Sequence, residues 1–189
     1  MLEFNFSPFP ELATRRLRLR QITAEDLPDF YALRENDAVR TYIQRPPGTY
    51  QEVQEILNKS LASFAKNETI SWAICFPGQP KLVGLMAFWR IAREHHYAEI
   101  GYSLLPEFWR QGIASEALQA VLKYGFEQMR LHRVEADVDP GNTASVRLLE
   151  KFGFVREAHF KENYFHDGRF FDSYIFSLLE PAWLAAISQ

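Results

Sequence analysis

The residues Glu107-Phe108-Trp109-Arg110-Gln111-Gly112-Ile113-Ala114 follow a strand-like run that ends at Leu105-Pro106, and they precede the strongest helical periodicity in the chain. A helix start presents unpaired backbone N–H groups and the positive end of a dipole, and together these attract an anion. A pyrophosphate suits such a site well. Gly112 lets the backbone come close to a phosphate, and Ala114 keeps the first helical turn slim. Taken alone, the same residues also describe a loop glycine ahead of a surface helix. A nucleotide-binding P-loop is the poorer reading, because no Gly-Lys-Ser/Thr follows the glycine.

A second group of residues could move protons. Glu99 shares the polar side of a strand with Gly101 and Ser103, opposite Ile100, Tyr102 and Leu104. A carboxylate there can take a proton directly or through water, or it can simply be solvated. Asn142 and Ser145 open a later helix, and helix capping explains both residue types without further function. Glu162, near a hairpin tip, is a second carboxylate candidate. His95, His96 and His132 lack a supporting carboxylate or metal-ligand spacing, which points to solvated or packed rings. Cys75 lies in an apolar run with Trp72 and Phe76 and reads as a buried structural thiol. Met86, Phe88 and Trp89 read as core, with Trp89 also able to wall a cleft.

These residues need elements to hold them. Leu17 and Leu19 alternate with arginines over Thr14–Gln21, which predicts a first strand with one wet face. A helix follows from about Asp26, starting just before Pro28, which would clash inside it. Thr49-Tyr50-Gln51-Glu52 has capping-box form and opens a second helix with Val53, Leu57, Leu61 and Phe64 on its apolar side. Strands are expected near Ile70–Phe76, Lys81–Arg93 and Tyr97–Leu105, the first two joined by Pro77-Gly78-Gln79-Pro80. Ile113, Ala117, Leu118, Val121, Leu122, Phe126 and Met129 then follow helical spacing. A strand at Val134–Val138 precedes a helix capped by Asn142 and ended near Gly153. Two last strands, about Val155–Phe165 and Phe170–Leu179, flank the turn signal Asp167-Gly168. The order predicts a mixed α/β fold around one central sheet.

The 189-residue chain carries 47% hydrophobic and 24% charged residues, a globular composition with no linker or repeat to divide it. One domain over 1–189 is expected, with its core at about 12–179. Net charge is −3, against a broad nucleic-acid footprint. Cys75 is the only cysteine, so no internal disulfide forms. There is no signal-peptide pattern, and the longest apolar run is far short of the ~20 residues that span a bilayer. A cytoplasmic protein with no membrane partner is expected. The 28 aromatic residues leave room for a homodimer.

Ala98-Glu99-Ile100-Gly101-Tyr102, the helix from Ile113, Asn142-Thr143-Ala144-Ser145 and Leu149-Glu150-Lys151-Phe152-Gly153-Phe154 occur together in this order. This resembles the GNAT superfamily of N-acetyltransferases, and within it the RimJ/RimL-type ribosomal-protein N-acetyltransferases. Thr14-Arg15-Arg16-Leu17-Arg18-Leu19-Arg20 and Asp167-Gly168-Arg169 with Asp172 resemble the same subgroup. The likeness runs from about Leu12 to Leu179. It implies a mostly antiparallel central sheet, splayed near the acetyl-CoA strand and flanked by about four helices. It implies acetyl-CoA as co-substrate, with Ile100, Tyr102 and Leu104 along the pantetheine arm. Arg110, Gln111, Gly112, Ile113 and Ala114 would then hold the pyrophosphate, with no metal. The thioester carbonyl would be polarised by a backbone N–H of the Glu99–Leu104 strand. Trp109 stands where the superfamily often has Arg or Gln, which leaves open which side chains join the backbone cradle. Asn142 is implied to touch pantetheine or substrate, Ser145 to donate toward the sulfur, and the Tyr164–Arg169 hairpin to overhang the acceptor.

Acyl transfer to an amine needs a neutral amine, a polarised carbonyl and a protonated leaving thiolate. Glu99 and Ser145 are the candidate catalytic residues. The expected acceptor is a protein or peptide N-terminus, whose pKa of about 7.7–8.0 demands less of a base than a lysine near 10.4. A small-molecule amine is the alternative acceptor, and a non-catalytic acetyl-CoA sensor is the alternative class.

Overall fold

The computed structural model describes residues 1–43 and 45–187. One eight-stranded sheet runs through the molecule in the order β1-β2-β3-β4-β5-β6-β8-β7. Its strands are β1 (Leu12–Ala13), β2 (Arg18–Gln21), β3 (Ile70–Phe76), β4 (Gln79–Ala92), β5 (Tyr97–Leu104), β6 (Arg133–Val138), β7 (Val155–His166) and β8 (Arg169–Leu179). Every neighbouring pair is antiparallel except β5 with β6. Parallel neighbours need a crossover, and α4 (Ile113–Glu127) supplies it.

Two apolar clusters sandwich the sheet. On one face, α4, α5 (Thr143–Lys151) and α6 (Glu180–Ile187) cover Trp72, Met86, Phe88, Ile100, Val134 and Phe176. On the other, α1 (Leu27–Glu35), α2 (Asp37–Arg40) and α3 (Tyr50–Ala65) cover Ala73, Cys75 and Leu82. The predicted period of α4 is its buried stripe: Ile113, Ala117, Leu118, Val121, Leu122 and Phe126 are all 2% exposed or less. The predicted capping box of α3 forms, with the Glu52 amide donating to Thr49 Oγ1 and the Thr49 amide donating to Glu52 Oε2. Cys75 is buried and Met86 and Phe88 are fully buried, as expected, whereas Trp89 is 42% exposed.

Three expectations change. The strand expected over Thr14–Gln21 forms at Arg18–Gln21, whereas Thr14–Leu17 is a corner: Leu12–Ala13 and Arg18–Gln21 pair with each other, and Thr14 Oγ1 accepts from the Leu17 amide at 3.0 Å to close it. Strand β4 begins at Gln79, two residues before the expected start, because Gly78 adopts φ +74 and turns the chain at once. Among the described residues six α-helices flank the sheet instead of about four, because α2 is one turn long and α6 carries little amphipathic signal. Trp183 of α6 is nonetheless buried and stacks on Phe126 with ring centroids 5.7 Å apart.

Candidate functional site

The loop before α4 has a backbone that can receive an anion. Arg110 and Gly112 both adopt left-handed backbone, at φ +58 and +75, so the chain coils just ahead of the helix. Successive amides in such turns form an anion-binding concavity. α3 and α5 begin under side-chain caps from Thr49 and Asn142, but Gly112 at the start of α4 offers none. The first intrahelical bond found there is Glu116 N–H to Gly112 O, which leaves the first-turn amides of Ile113, Ala114 and Ser115 for a ligand. Ile113 is buried, so its amide is what it can contribute. The Gln111 side chain bonds back to Glu107 O.

A cation from the far end of the chain supports this loop. Arg16 Nη1 donates to Gln111 O at 2.9 Å, and a Cβ placed on Gly112 would meet Arg16 Nη2 at 3.3 Å. Glu116, in the first turn of α4, holds Arg16 through Oε2 at 2.6 Å and accepts from the Thr14 hydroxyl and the Arg16 amide. The corner between β1 and β2 is thus tied to the start of α4. Sequence reasoning missed Arg16, because 95 residues separate it from its loop.

Beside this loop the sheet opens. β5 and β6 pair only at Tyr97↔Arg133, Ala98↔Val134 and Glu99↔Glu135. Beyond Glu99 the edge of β5 that faces β6 has no strand partner among the described residues, although its other edge stays paired to β4 as far as Leu104↔Gly84. Ile100, Tyr102 and Leu104 therefore lie along an unpaired edge, whose N–H and C=O groups can bond an extended amide-bearing chain. The Leu104 carbonyl is already engaged by the Trp109 indole at 2.6 Å.

Across the gap, the Tyr102 hydroxyl meets Ser145 Oγ at 2.7 Å. Ser145 is 9% exposed, and Asn142 Oδ1 accepts its amide at 3.1 Å. Asn142 is thus a helix cap. Burial pushes the Tyr102 phenol up to about 12, with Ser145 pulling weakly the other way, so it stays a proton donor at neutral pH.

Glu99 sits at the closed end of the splay. It is 6% exposed and so is no solvated strand carboxylate. Arg90 Nη1 approaches Glu99 Oε2 at 2.9 Å. Burial holds the Glu99 carboxyl above the usual glutamate range; Arg90 opposes that shift, and the carboxylates of Asp137 and Glu135 add to it. A carboxylate with raised proton affinity is a better base near neutral pH. Trp89, on the same face, stands against Gly101, where a Cβ would lie 3.7 Å from the indole nitrogen.

Other candidates lie elsewhere. Glu162 is exposed on β7 at φ +50, and its amide donates to Asp172 Oδ1 at 2.9 Å. The same Asp172 bonds His159 Nε2 at 2.6 Å, a carboxylate-supported histidine that the spacing did not reveal. His95 and His132 each have a carboxylate at 4.0 Å, from Glu94 and Glu180, but both rings are well exposed.

Known proteins share this architecture. The pattern of the family described as Acetyltransferase (GNAT) domain matches residues 16–155. The Uncharacterized N-acetyltransferase YoaA of Bacillus subtilis is 36% identical, over 92% of this chain and 98% of its own. The [Ribosomal protein uS5]-alanine N-acetyltransferase of Escherichia coli is 28% identical, over 93% and 94%. A spermidine N-acetyltransferase from Vibrio cholerae, solved in complex with CoA and spermine, superimposes with a TM-score of 0.81 at 27% identity, over 90% of this chain and 99% of its own. Splayed strands, an uncapped helix start and a family match over most of the chain agree: this protein is an acetyltransferase of the GNAT family.

Proposed function

We propose that the protein moves the acetyl group of acetyl-CoA onto the N-terminal α-amine of a protein or peptide, in the manner of the RimJ/RimL-type enzymes. Glu99 is the base in this reading, and Ser145 the donor to the departing sulfur. The observation that carries it is Glu99, a buried carboxylate at the closed end of the gap where the β5 edge becomes free. The unpaired β5 edge fits an amide-bearing arm, and the uncapped α4 amides with Arg16 beside them fit its pyrophosphate.

Acetyl-CoA supplies an activated acyl group, a thioester carbonyl open to a neutral amine. Glu99 accepts the proton that the amine loses as its nitrogen bonds the carbonyl carbon. A backbone N–H on the free β5 edge steadies the charge on the carbonyl oxygen. As the carbon–sulfur bond breaks, the Ser145 hydroxyl donates a hydrogen bond to the departing thiolate, which takes its proton from solvent, and the Tyr102 hydroxyl 2.7 Å away orients Ser145. Asn142 keeps Ser145 at the head of α5.

An α-amine is the acceptor because a sizeable fraction is already neutral near pH 7.5, within reach of one modestly basic carboxylate. The E. coli relative is by name an alanine N-acetyltransferase of ribosomal protein uS5, which supports the same choice. A small polyamine is the second reading. The carboxylates of Glu99 and Asp137, which interact electrostatically, favour it, as does the spermidine-acetylating relative. Thiol release over N-terminal peptides and polyamines decides between them. Turnover on an alanine-initiated peptide with kcat/KM at least tenfold above spermidine is expected; the reverse order overturns the peptide assignment.

A further inference from the structure

Arg90 stands in a place that sheet formation alone does not call for. The β4–β5 register slips between Trp89 and Ala92, and within that bulge Arg90 adopts φ +46, a conformation L-residues avoid. Such outliers persist where the surroundings impose them, and they gather at functional sites. The bulge has two effects. It lays the guanidinium over the Trp89 ring, 4.9 Å from its centroid, and it brings Nη1 to 2.9 Å from Glu99 Oε2. The carboxylate of that pair is 7% exposed, whereas the arginine is 65% exposed. Arg90 therefore spends one edge on Glu99 and presents the rest outward.

What it faces is a cavity of about 680 Å³, lined also by Lys66, Asn67, Glu68, Arg93 and Glu94. Arg93 is occupied there, donating to Asn67 O and lying over Phe4. Among the described side chains of this lining, Arg90 and Lys66 are the cations left to meet a ligand, beside the carboxylates of Glu68 and Glu94. On the other side of Glu99, Arg133 already holds Glu135 and Glu157, each at 2.5 Å. These carboxylates are poor partners for a second ammonium.

We infer that Arg90 makes this enzyme select acceptors carrying a carboxylate close to the reacting amine. This rests on the reading that the amine is deprotonated at Glu99. An amine brought to that carboxylate comes beside the guanidinium that shares it. A second positive charge on the acceptor is repelled there, while a carboxylate completes the open donors of Arg90. The carboxylate could be an acidic side chain at the second position of a peptide or the α-carboxylate of a free amino acid.

The test uses peptide amides that differ only at the second residue, Ala-Glu, Ala-Gln and Ala-Lys, with free glutamate as a separate arm. The wild type should prefer Glu over Lys by roughly three- to tenfold in kcat/KM, the range expected for one partly exposed charge pair counted twice. Arg90→Glu should reverse that order. Comparing acceptors within one variant cancels any change in the proton affinity of Glu99. Lys66→Glu should lower the Glu-to-Lys ratio in the same direction as Arg90→Glu, and by less. Acetylation of free glutamate above the peptides assigns the carboxylate to an amino acid; the opposite assigns it to a peptide. Turnover of the Gln peptide judges the proposed function separately. If no peptide turns over, that function falls, and the same order is then required in calorimetric binding to CoA-saturated protein. Equal handling of Glu and Lys peptides by the wild type, or a ratio unmoved by Arg90→Glu, overturns the inference.

Discussion

Single side chains here are held by partners that define what they can do. Asp26 is 7% exposed and receives Arg20 through two contacts of 2.5 and 2.8 Å, with the Thr23 amide as a third donor. Burial raises its proton affinity, but those donors outweigh it and hold the carboxyl below the usual range. A depressed folded pKa means that the pair stabilises the fold above the unfolded value of about 3.9, and that this contribution fades as pH falls through the folded value. Removing one member of a buried pair costs about 3 kcal/mol, because the other charge is left alone. Asp26→Asn should therefore lower Tm by roughly 6–12 °C at pH 7. The difference from wild type should shrink as melting is followed below pH 4, and a constant difference would show that the pair does not act through charge. None of this was legible in the sequence: Asp26 read only as the start of a helix, since nothing in the local spacing marks Arg20, six residues earlier on β2, as its partner. The residue types of Glu99, Asn142 and Ser145 were legible, but their environments were not. The alternation of β5 shows a polar face, and only the packing of β4 and β6 against it shows that this face buries Glu99.

Elements were read more fully than contacts. The stripe of α4, the caps of α3 and α5, and the tight turn at Asp167-Gly168, both at positive φ, all follow from local periodicity and local hydrogen bonding. The corner at Thr14–Leu17 and helix α6 escaped for the same reason in reverse. The first is fixed by Glu116 from a distant helix, and the second by docking Trp183 on Phe126. The junction of β5, its loop and α4 yields a prediction at this scale. Gly112 at φ +75 carries the turn, and any Cβ there is strained and faces Arg16 Nη2 at 3.3 Å. Gly112→Ala should weaken acetyl-CoA binding about tenfold, from roughly 1–2 kcal/mol of left-handed backbone strain that reshapes the cradle. Calorimetry reads this directly, and an unchanged Kd would place the pyrophosphate elsewhere.

At the scale of the molecule, helices cover both faces of a sheet whose eight strands pair seven times and open once. The opening needs the parallel β5–β6 junction to end after three pairs, with α4 following β5 and α5 following β6. In the proposed reading the loop ahead of α4 and the gap take one ligand, and Glu99 at the gap's closed end meets a second. The pH dependence of kcat/KM on an alanine-initiated peptide, compared between wild type and Glu99→Gln, tests this arrangement most directly. The wild type should lose activity on acidification in two stages. One belongs to the acceptor amine near pH 8, and one to Glu99, above the ordinary glutamate range. Glu99→Gln should be slower by about 10²–10⁴-fold and keep only the amine stage. Full activity of Glu99→Gln across the range would contradict the account.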